Sequence, residues 1–417
     1  MPSLRARSLM ELITVTRATT ATFCNSSGAL ATAAAGVARI DFDPVTRLSK
    51  GLLIEEERTN LLLRSQEIDH ASWTKVAATC AGAAINARIA PDLTVTMDKL
   101  EEDSTNAAHY CSQGYAKTSS SEVQAYALSC WAVAGERSVI RLVQQGNGSG
   151  NRASADFDLV NGIANTAVSA GGYDSALAWI EPWGGGLFRL CLTLRINNDG
   201  QANTTSYALL KNAVGGSDDY AGTTGFGAYL WGLQLEKGPF PTSYVPTTTG
   251  AVTRNVDDIR IASLSPWLEE EAAGTIIADY SVPWTYSALD SVSRRIVEID
   301  DGTANNRHLV YLSGGKSSSL TTTAAAGVAG GTGAVDHAAR GVVGRIGWAW
   351  SANNFARAVD GSLQLTDSAG AVPGTLSECH LGASSGAATA LCGHLRRLRF
   401  IPRRVSNTEL QQLTKAA

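Results

Sequence analysis

Residues 225–256 read GFGAYLWGLQLEKGPFPTSYVPTTTGAVTRNV, and the fold follows from how this stretch is parsed. Its first half alternates with period 2: Tyr229, Trp231, Leu233 and Leu235 fall on one side, and Leu230, Gly232, Gln234 and Glu236 on the other. That is the signature of a half-buried strand. Lys237-Gly238-Pro239 ends the ladder, because proline has no N–H to donate. Pro239, Pro241 and Pro246 then fix φ and bias their predecessors away from helix, so the second half is an extended strap. The stretch therefore reads as the last strand of one β domain and the connection to another.

The rest of the chain supports an all-β reading. Its 417 residues suffice for two or three domains, and 44% hydrophobic content with nine Trp can build real cores although only 17% of residues are charged. A net charge of −4 and the absence of any Lys/Arg-rich run give no basis for a nucleic-acid partner. No apolar stretch approaches the ~20 residues a bilayer requires, so no membrane insertion is expected. The first residues, MPSLRARSLMELITVTR, lack the apolar core of a secretory signal, so folding in a cytoplasm is expected. Seven Cys, widely spaced and without a C-x-x-C pair, suit small core residues better than a zinc site or a disulfide scaffold.

Three units are expected. Residues 1–54 form a β-prone leader containing Thr14 to Phe23, the turn Asn25-Ser26-Ser27-Gly28, Arg39-Ile40-Asp41-Phe42-Asp43-Pro44 and Gly51-Leu52-Leu53-Ile54. Residues 55–250 carry short strands between turn clusters, at Tyr110 to Tyr115, Gln124 to Val133, Val139 to Gln144, Ala153 to Leu159, Phe188 to Ile196, Tyr207 to Asn212 and Phe226 to Glu236. With no helical segments alternating between them, these suggest an antiparallel sandwich or jelly roll. Residues 251–417 repeat the pattern and close with a strand from Gly393 and a short helix, where Ser406 and Glu409 have capping-box spacing.

The strap resembles the aromatic-Trp-Gly-x-Gln-Leu-Glu-x-Gly-x-(Phe)-Pro-Thr-Ser-Tyr-x-Pro-Thr closing motif of carbohydrate-binding-like jelly rolls in virion and fibre proteins of tailed bacteriophages. The leader resembles the R-A-T-x-A-T … R-x-D-x-D-P-x-T … G-L-L-I-E-x-x-R-T-N-L-L segment that precedes such jelly rolls. Gly393 to Leu413 is similar to the end of concanavalin-like (laminin-G-like) lectin sandwiches. The resemblance implies a virion structural protein, a fibre, spike or tail-associated adhesin, that binds host surface glycans and attaches to other virion proteins through residues 1–54. A non-sugar-binding decoration or scaffold protein and a surface-polysaccharide depolymerase are the alternatives. Fibre proteins are commonly symmetric, so a homotrimer is expected, with the leader and strap, including Phe240, Tyr244 and Leu52 to Ile54, at the subunit contacts.

Catalytic motifs are absent: there is no G-x-S-x-G, H-E-x-x-H or P-loop, and the six His are scattered. The acids of concanavalin-like glucanases stand as E-x-D-x-x-E; the nearest fragment, Glu298-Ile299-Asp300, lacks the last one, so no enzyme is expected. Glycan recognition needs aromatic faces and planar hydrogen-bonding groups. The candidates are Trp131 and Arg141 on strands, Gln234 in the strap-leading strand, and Trp183, which precedes a Gly run and is the one most expected at a surface. The competing reading is that Trp131 packs beneath a loop. Trp348 and Trp350 read as core. No cofactor is expected; a calcium ion would sit at Asn197-Asn198-Asp199-Gly200 or Asp300-Asp301-Gly302-Thr303.

Overall fold

The computed structural model describes residues 9–146, 150–261, 263–264, 272–284, 292–313, 316–323, 327–331, 340–374, 376–384 and 389–415. Two β-sandwiches make up the molecule, and every strand pairing among the described residues is antiparallel.

In the first sandwich, one sheet runs Tyr173–Gly184, Leu187–Asn197, Val123–Ala134, Gly227–Lys237, Val95–Glu102 and Ala78–Thr79. The facing sheet is centred on Val139–Gly146, Asn203–Lys211 and Asn106–Ala116. Period 2 explains the core: Tyr126, Leu128, Cys130 and Ala132 point inward from one strand and meet Leu190, Leu192 and Leu194 from its neighbour and Ile140, Leu142 and Leu210 from the opposite sheet.

The expected alternation of residues 229–235 breaks at Gly232. Leu230, Leu233 and Leu235 all face the core, whereas Trp231 joins a separate aromatic cluster on the outer face with Trp131 and Tyr244. The register against Val123–Ala134 shifts between Ser129 and Trp131, and Gly232 takes the left-handed φ of +65° that a bulge needs. A Cβ there would stand 2.9 Å from Trp131 Cε3. Gly232→Ala is therefore expected to destabilise the protein by about 1–2 kcal/mol, the left-handed penalty for a residue with a Cβ. An unchanged melting temperature would show that the bulge is not needed.

In the second sandwich, one sheet runs Thr14–Thr16, Asp258–Ile261, Glu378–Leu381, Arg294–Asp300, Arg307–Ser313, Lys316–Thr323 and Gly327–Gly331. The other runs Ser362–Asp367, Asn354–Val359, Gly344–Ser351, Ala273–Ser281, Gly393–Ile401, Ser49–Ile54 and Ile40–Phe42. Trp348 and Trp350 lie in the core between them, on the same face of their strand as Ile346. The helix Asn407–Thr414 packs on the outer face, and Ser406 Oγ accepts from Glu409 N–H at 3.1 Å. Only half of the capping box forms, because the Glu409 carboxylate pairs with Arg403.

The leader expected as a separate unit over 1–54 is built into this second sandwich. Thr14–Thr16 pairs with Asp258–Ile261, and Ser49–Ile54 pairs with Gly393–Ile401, so the leader contributes strands to both sheets. Leu52, Ile54 and Phe240 belong to its core, and Tyr244 is equally buried in the aromatic cluster. The apolar groups expected at subunit contacts thus find their partners within the chain. Arg58–Asn60 pairs with Val252–Arg254, so the first sandwich leaves and re-enters the second through two adjacent strands. It is an insertion, not a domain followed by a linker.

Buried charge ties the junction together. Five arginines, Arg17, Arg39, Arg58, Arg254 and Arg294, meet three carboxylates, Glu55, Glu56 and Asp257. Arg39 donates to Glu55 at 2.8 Å and to Asp257, Arg254 to Glu55 at 2.9 Å, and Arg17 to Asp257 at 2.7 Å. Carbonyls of Thr22, Ala34, Val37 and Ala390 accept further N–H groups, as buried arginines require. Phe240 stacks on Trp284 at 5.1 Å, with the Arg58 and Arg294 guanidiniums 5.3 and 4.8 Å from its ring. The strap thus places Phe240 in one core and Tyr244 on the outer face of the other sandwich.

Candidate functional site

A cavity of about 390 Å³ lies where the leader, the first sandwich, the strap and the second sandwich meet. Its aromatic wall comes from the hairpin of Tyr173–Gly184 and Leu187–Asn197. Gly184, Gly185 and Gly186 all take positive φ, a turn only glycine makes without strain, and this sets Trp183 at the strand end. Trp183 is half-buried and meets the buried Trp131 edge-to-face at 5.4 Å. Trp131 Nε1 has no hydrogen-bond partner among the described residues.

Charged groups of both signs surround this wall. The Arg189 guanidinium stacks 4.8 Å from the Trp131 ring and donates to Thr242 O at 2.6 Å, and its Nε has no partner among the described residues. Glu181 Oε1 accepts from Trp179 Nε1 at 2.8 Å, with Arg340 at 3.7 Å and above the Trp179 ring at 5.0 Å. From the other side come Lys50, Asp41 and His394, with His394 Nε2 and Asp41 Oδ2 2.9 Å apart.

Cys24, Asp41 and His394 line one part of the cavity, an assembly of nucleophile, acid and base that invites a catalytic reading. The thiol does not fit that role. Burial, reinforced by the Asp41 charge, pushes it up to about 12, so it stays protonated near neutral pH. Asp41 is committed as well, accepting from Cys24 N–H at 2.7 Å through Oδ1 while Oδ2 faces His394. Glu55, deeper in the wall, would be raised by burial, but Arg254 and Arg39 outweigh this and hold it well below the usual carboxylate range.

Of the four residues proposed from sequence, two meet here. Trp183 stands at the rim and Trp131 forms the floor, under the strap as its competing reading held. Arg141 lies on the opposite sheet, held by Asp156 at 2.5 Å and Asp218 at 2.6 Å beside a separate hollow with Arg152. Gln234 is fully buried: its Nε2 donates to Glu236 at 2.8 Å and its Oε1 accepts from Val245 N–H at 2.6 Å. The strap covers the outer face here, so Gln234 organises the strap and is not available to a ligand. Arg189, Glu181, Asp41, Lys50, Arg340 and His394 were not singled out by sequence. Asp41 and His394 do lie within the stretches quoted above and Arg189 within an expected strand, whereas Lys50 and Arg340 are joined to the wall only by tertiary pairing. In the two turns considered for calcium, Asp199 pairs with the buried Lys117 and Asp301 binds its own turn through Thr303 and Asn306.

No family model matches the chain, and no curated protein matches it. Among solved structures, it is similar to the CBM40 of the Ruminococcus gnavus IT-sialidase bound to alpha2,6 sialyllactose, at 16% identity over 34% of this chain and 83% of that one, with a TM-score of 0.29. Mouse laminin alpha1 domains LG4-5 align at 13% identity over 73% of this chain and 92% of theirs, with a TM-score of 0.24. A Trypanosoma rangeli sialidase aligns at 9% identity over 76% and 60%, with a TM-score of 0.29. At these scores the likenesses assign neither ligand nor activity to the cavity.

Proposed function

We propose that the protein is a non-catalytic glycan-binding structural protein of a tailed-phage virion, and that the junction cavity is its glycan site. The observation that carries the glycan reading is the half-exposed Trp183 braced edge-on by Trp131, with Arg189, Glu181 and Arg340 beside it, in a cavity of about 390 Å³. That volume lies in the ~300–1,000 Å³ range of small-molecule sites. An aromatic platform with flanking planar donors and acceptors suits a sugar face and its hydroxyls. A binding role suits the cavity better than catalysis, because Asp41 and Glu181 already hold internal partners and Cys24 stays protonated. The virion assignment and a homotrimer rest on the resemblance of the leader and strap motifs; sedimentation of a stable monomer at micromolar concentration would remove the trimer.

The test is a glycan array on the purified protein, followed by titration of the best ligand against Trp183→Ala. Affinity is expected to fall at least about tenfold, as loss of a stacking platform worth on the order of 1.4 kcal/mol implies. The fold should lose less than the ~3–5 kcal/mol of a fully buried Trp truncation. Unchanged affinity would move the site elsewhere. No binding to any glycan would favour the decoration or scaffold role.

A further inference from the structure

A second cluster, on the outer face of the second sandwich and away from the cavity, carries a different chemistry. Period 2 puts Glu378 and His380 on one face of Glu378–Leu381, and Glu298 and Asp300 on the same face of the adjacent Arg294–Asp300. The register pairs Asp300 with Glu378 and Glu298 with His380, and on the other side Arg260 with His380. Cys379 and Ile299, between them in sequence, point into the core.

The arginines here are occupied. Arg295 and Arg307 hold Glu298 at 2.8 and 3.1 Å, and Arg260 holds Asp258 at 3.0 Å and Glu378 at 3.4 Å. Among the described residues, no arginine pairs with Asp300. Its Oδ1 accepts from Gly302 N–H at 2.8 Å, but Oδ2 has no hydrogen-bond partner among the described residues although the residue is fully buried. His380, 1% exposed, is in the same state: neither ring nitrogen has a hydrogen-bond partner among the described residues. His380 Nε2 faces Asp300 Oδ2 at 3.5 Å and Glu378 Oε2 at 3.3 Å, and Nδ1 faces Asp258 Oδ1 at 3.9 Å. One donor atom from each of Asp300, Glu378 and His380 lies within 4.8 Å of the others.

We infer that Asp300, Glu378 and His380 form a site for a divalent first-row metal ion, with Zn²⁺ the best fit. Around a tetrahedral ion with ligands at about 2.0–2.1 Å, donors stand about 3.3–3.4 Å apart, the spacing His380 Nε2 keeps from both carboxylates. An ion there would occupy the orphaned Asp300 Oδ2 and His380 Nε2 together. Asp258, on the Nδ1 side, is placed to orient the ring as a carboxylate behind a ligating histidine does. One nitrogen and two carboxylate oxygens suit Zn²⁺, Mn²⁺ or Co²⁺, whereas Ca²⁺ takes six to eight oxygens. The partly exposed Glu378 leaves a fourth position for water on its side. The ion would clip two central strands of the sheet.

The full-length protein, stripped with chelator and dialysed, is titrated with ZnCl₂ by calorimetry, and its melting temperature is followed in parallel. One Zn²⁺ per chain at micromolar Kd or tighter is expected, with a rise in melting temperature that EDTA reverses. His380→Ala should abolish both. If His380→Ala does not fold, Glu378→Gln, at a partly exposed position, should weaken Zn²⁺ binding at least tenfold, and Asp258→Asn by about 10- to 100-fold. Co²⁺ should give the visible absorbance of a low-symmetry site in the unmodified protein and lose it in Glu378→Gln. Absence of saturable binding by Zn²⁺, Mn²⁺ and Co²⁺, or binding unaffected in both Glu378→Gln and Asp258→Asn, would overturn the site. His380 would then be an imidazolium held between carboxylates.

Discussion

A chain beginning at Arg58 is expected to keep its first sandwich and lose its second. The deletion removes Thr14–Thr16 from one sheet of the second sandwich and Ile40–Phe42 with Ser49–Ile54 from the other. It takes Leu52, Leu53 and Ile54 out of the interior, where burial of each is worth about 1.5–3 kcal/mol. It also leaves Arg254 and Asp257 buried without Glu55 and Arg39. Together these losses reach the ~5–15 kcal/mol that holds a typical domain folded. Pulse proteolysis should digest 258–417 and leave a resistant core close to 58–254. A C-terminal fragment that resists protease on its own would refute the shared construction. For the same reason, cleavage of the intact chain within the exposed residues 248–252 should nick it without releasing a folded C-terminal piece. This reverses what a simple linker between 247 and 258 would give.

Glu55→Ala should cost about 3–5 kcal/mol, because it leaves Arg254 without a carboxylate and Arg39 with Asp257 alone in a site with almost no solvent. Chemical denaturation should show the midpoint shift without a change in slope. The same carboxylate predicts an acid limb. Its folded-state pKa lies below its ordinary value of 4.5, so its contribution is fully present above that value and is lost as pH falls toward the folded-state pKa. Glu56, held down chiefly by Arg58 and Arg294 against its burial, adds in the same direction. Unfolding free energy should therefore decline from about pH 4.5 downward, and Glu55→Gln should flatten that decline. A wild-type acid limb in Glu55→Gln would show that other carboxylates dominate it.

Much of the architecture was legible because period 2 survives in single strands. Tyr126, Leu128 and Cys130 face the core, and Trp348 and Trp350 are buried, as alternation implies. Alternation failed at Gly232, where a bulge inverts the faces, and no pattern within one strand announces that shift. Pairing across the chain was less legible. Arg17, Arg39, Glu55, Arg58 and Arg254 all lie in the motifs that drew attention, yet their role emerges only when distant segments meet around buried charge. For the site, a Trp before a Gly run indicated an exposed aromatic, and Trp183 stands at the cavity rim. Gln234 and Arg141 misled because exposure cannot be read from a strand whose outer face another segment covers or whose charges find partners on neighbouring strands.

The insertion topology also orders events in time. During synthesis, Leu52 and Ile54 emerge well before their pairing partners Leu395 and Gly393, which lie far along the chain. At about 5–20 residues per second, that interval is on the order of twenty to seventy seconds. The first sandwich is contiguous apart from its closing pair and can complete within this wait, bringing Asn60 beside Val252. The nascent leader meanwhile carries open strand edges and apolar side chains with nowhere to dock, a template for pairing with the same segment of another nascent chain. Its strands are short, with Arg17 and Lys50 among the charges beside or within them. Yield from a host should therefore depend on how fast residues 258–401 are translated, and slowing that stretch with rare codons should raise the aggregated fraction without altering the sequence of the protein.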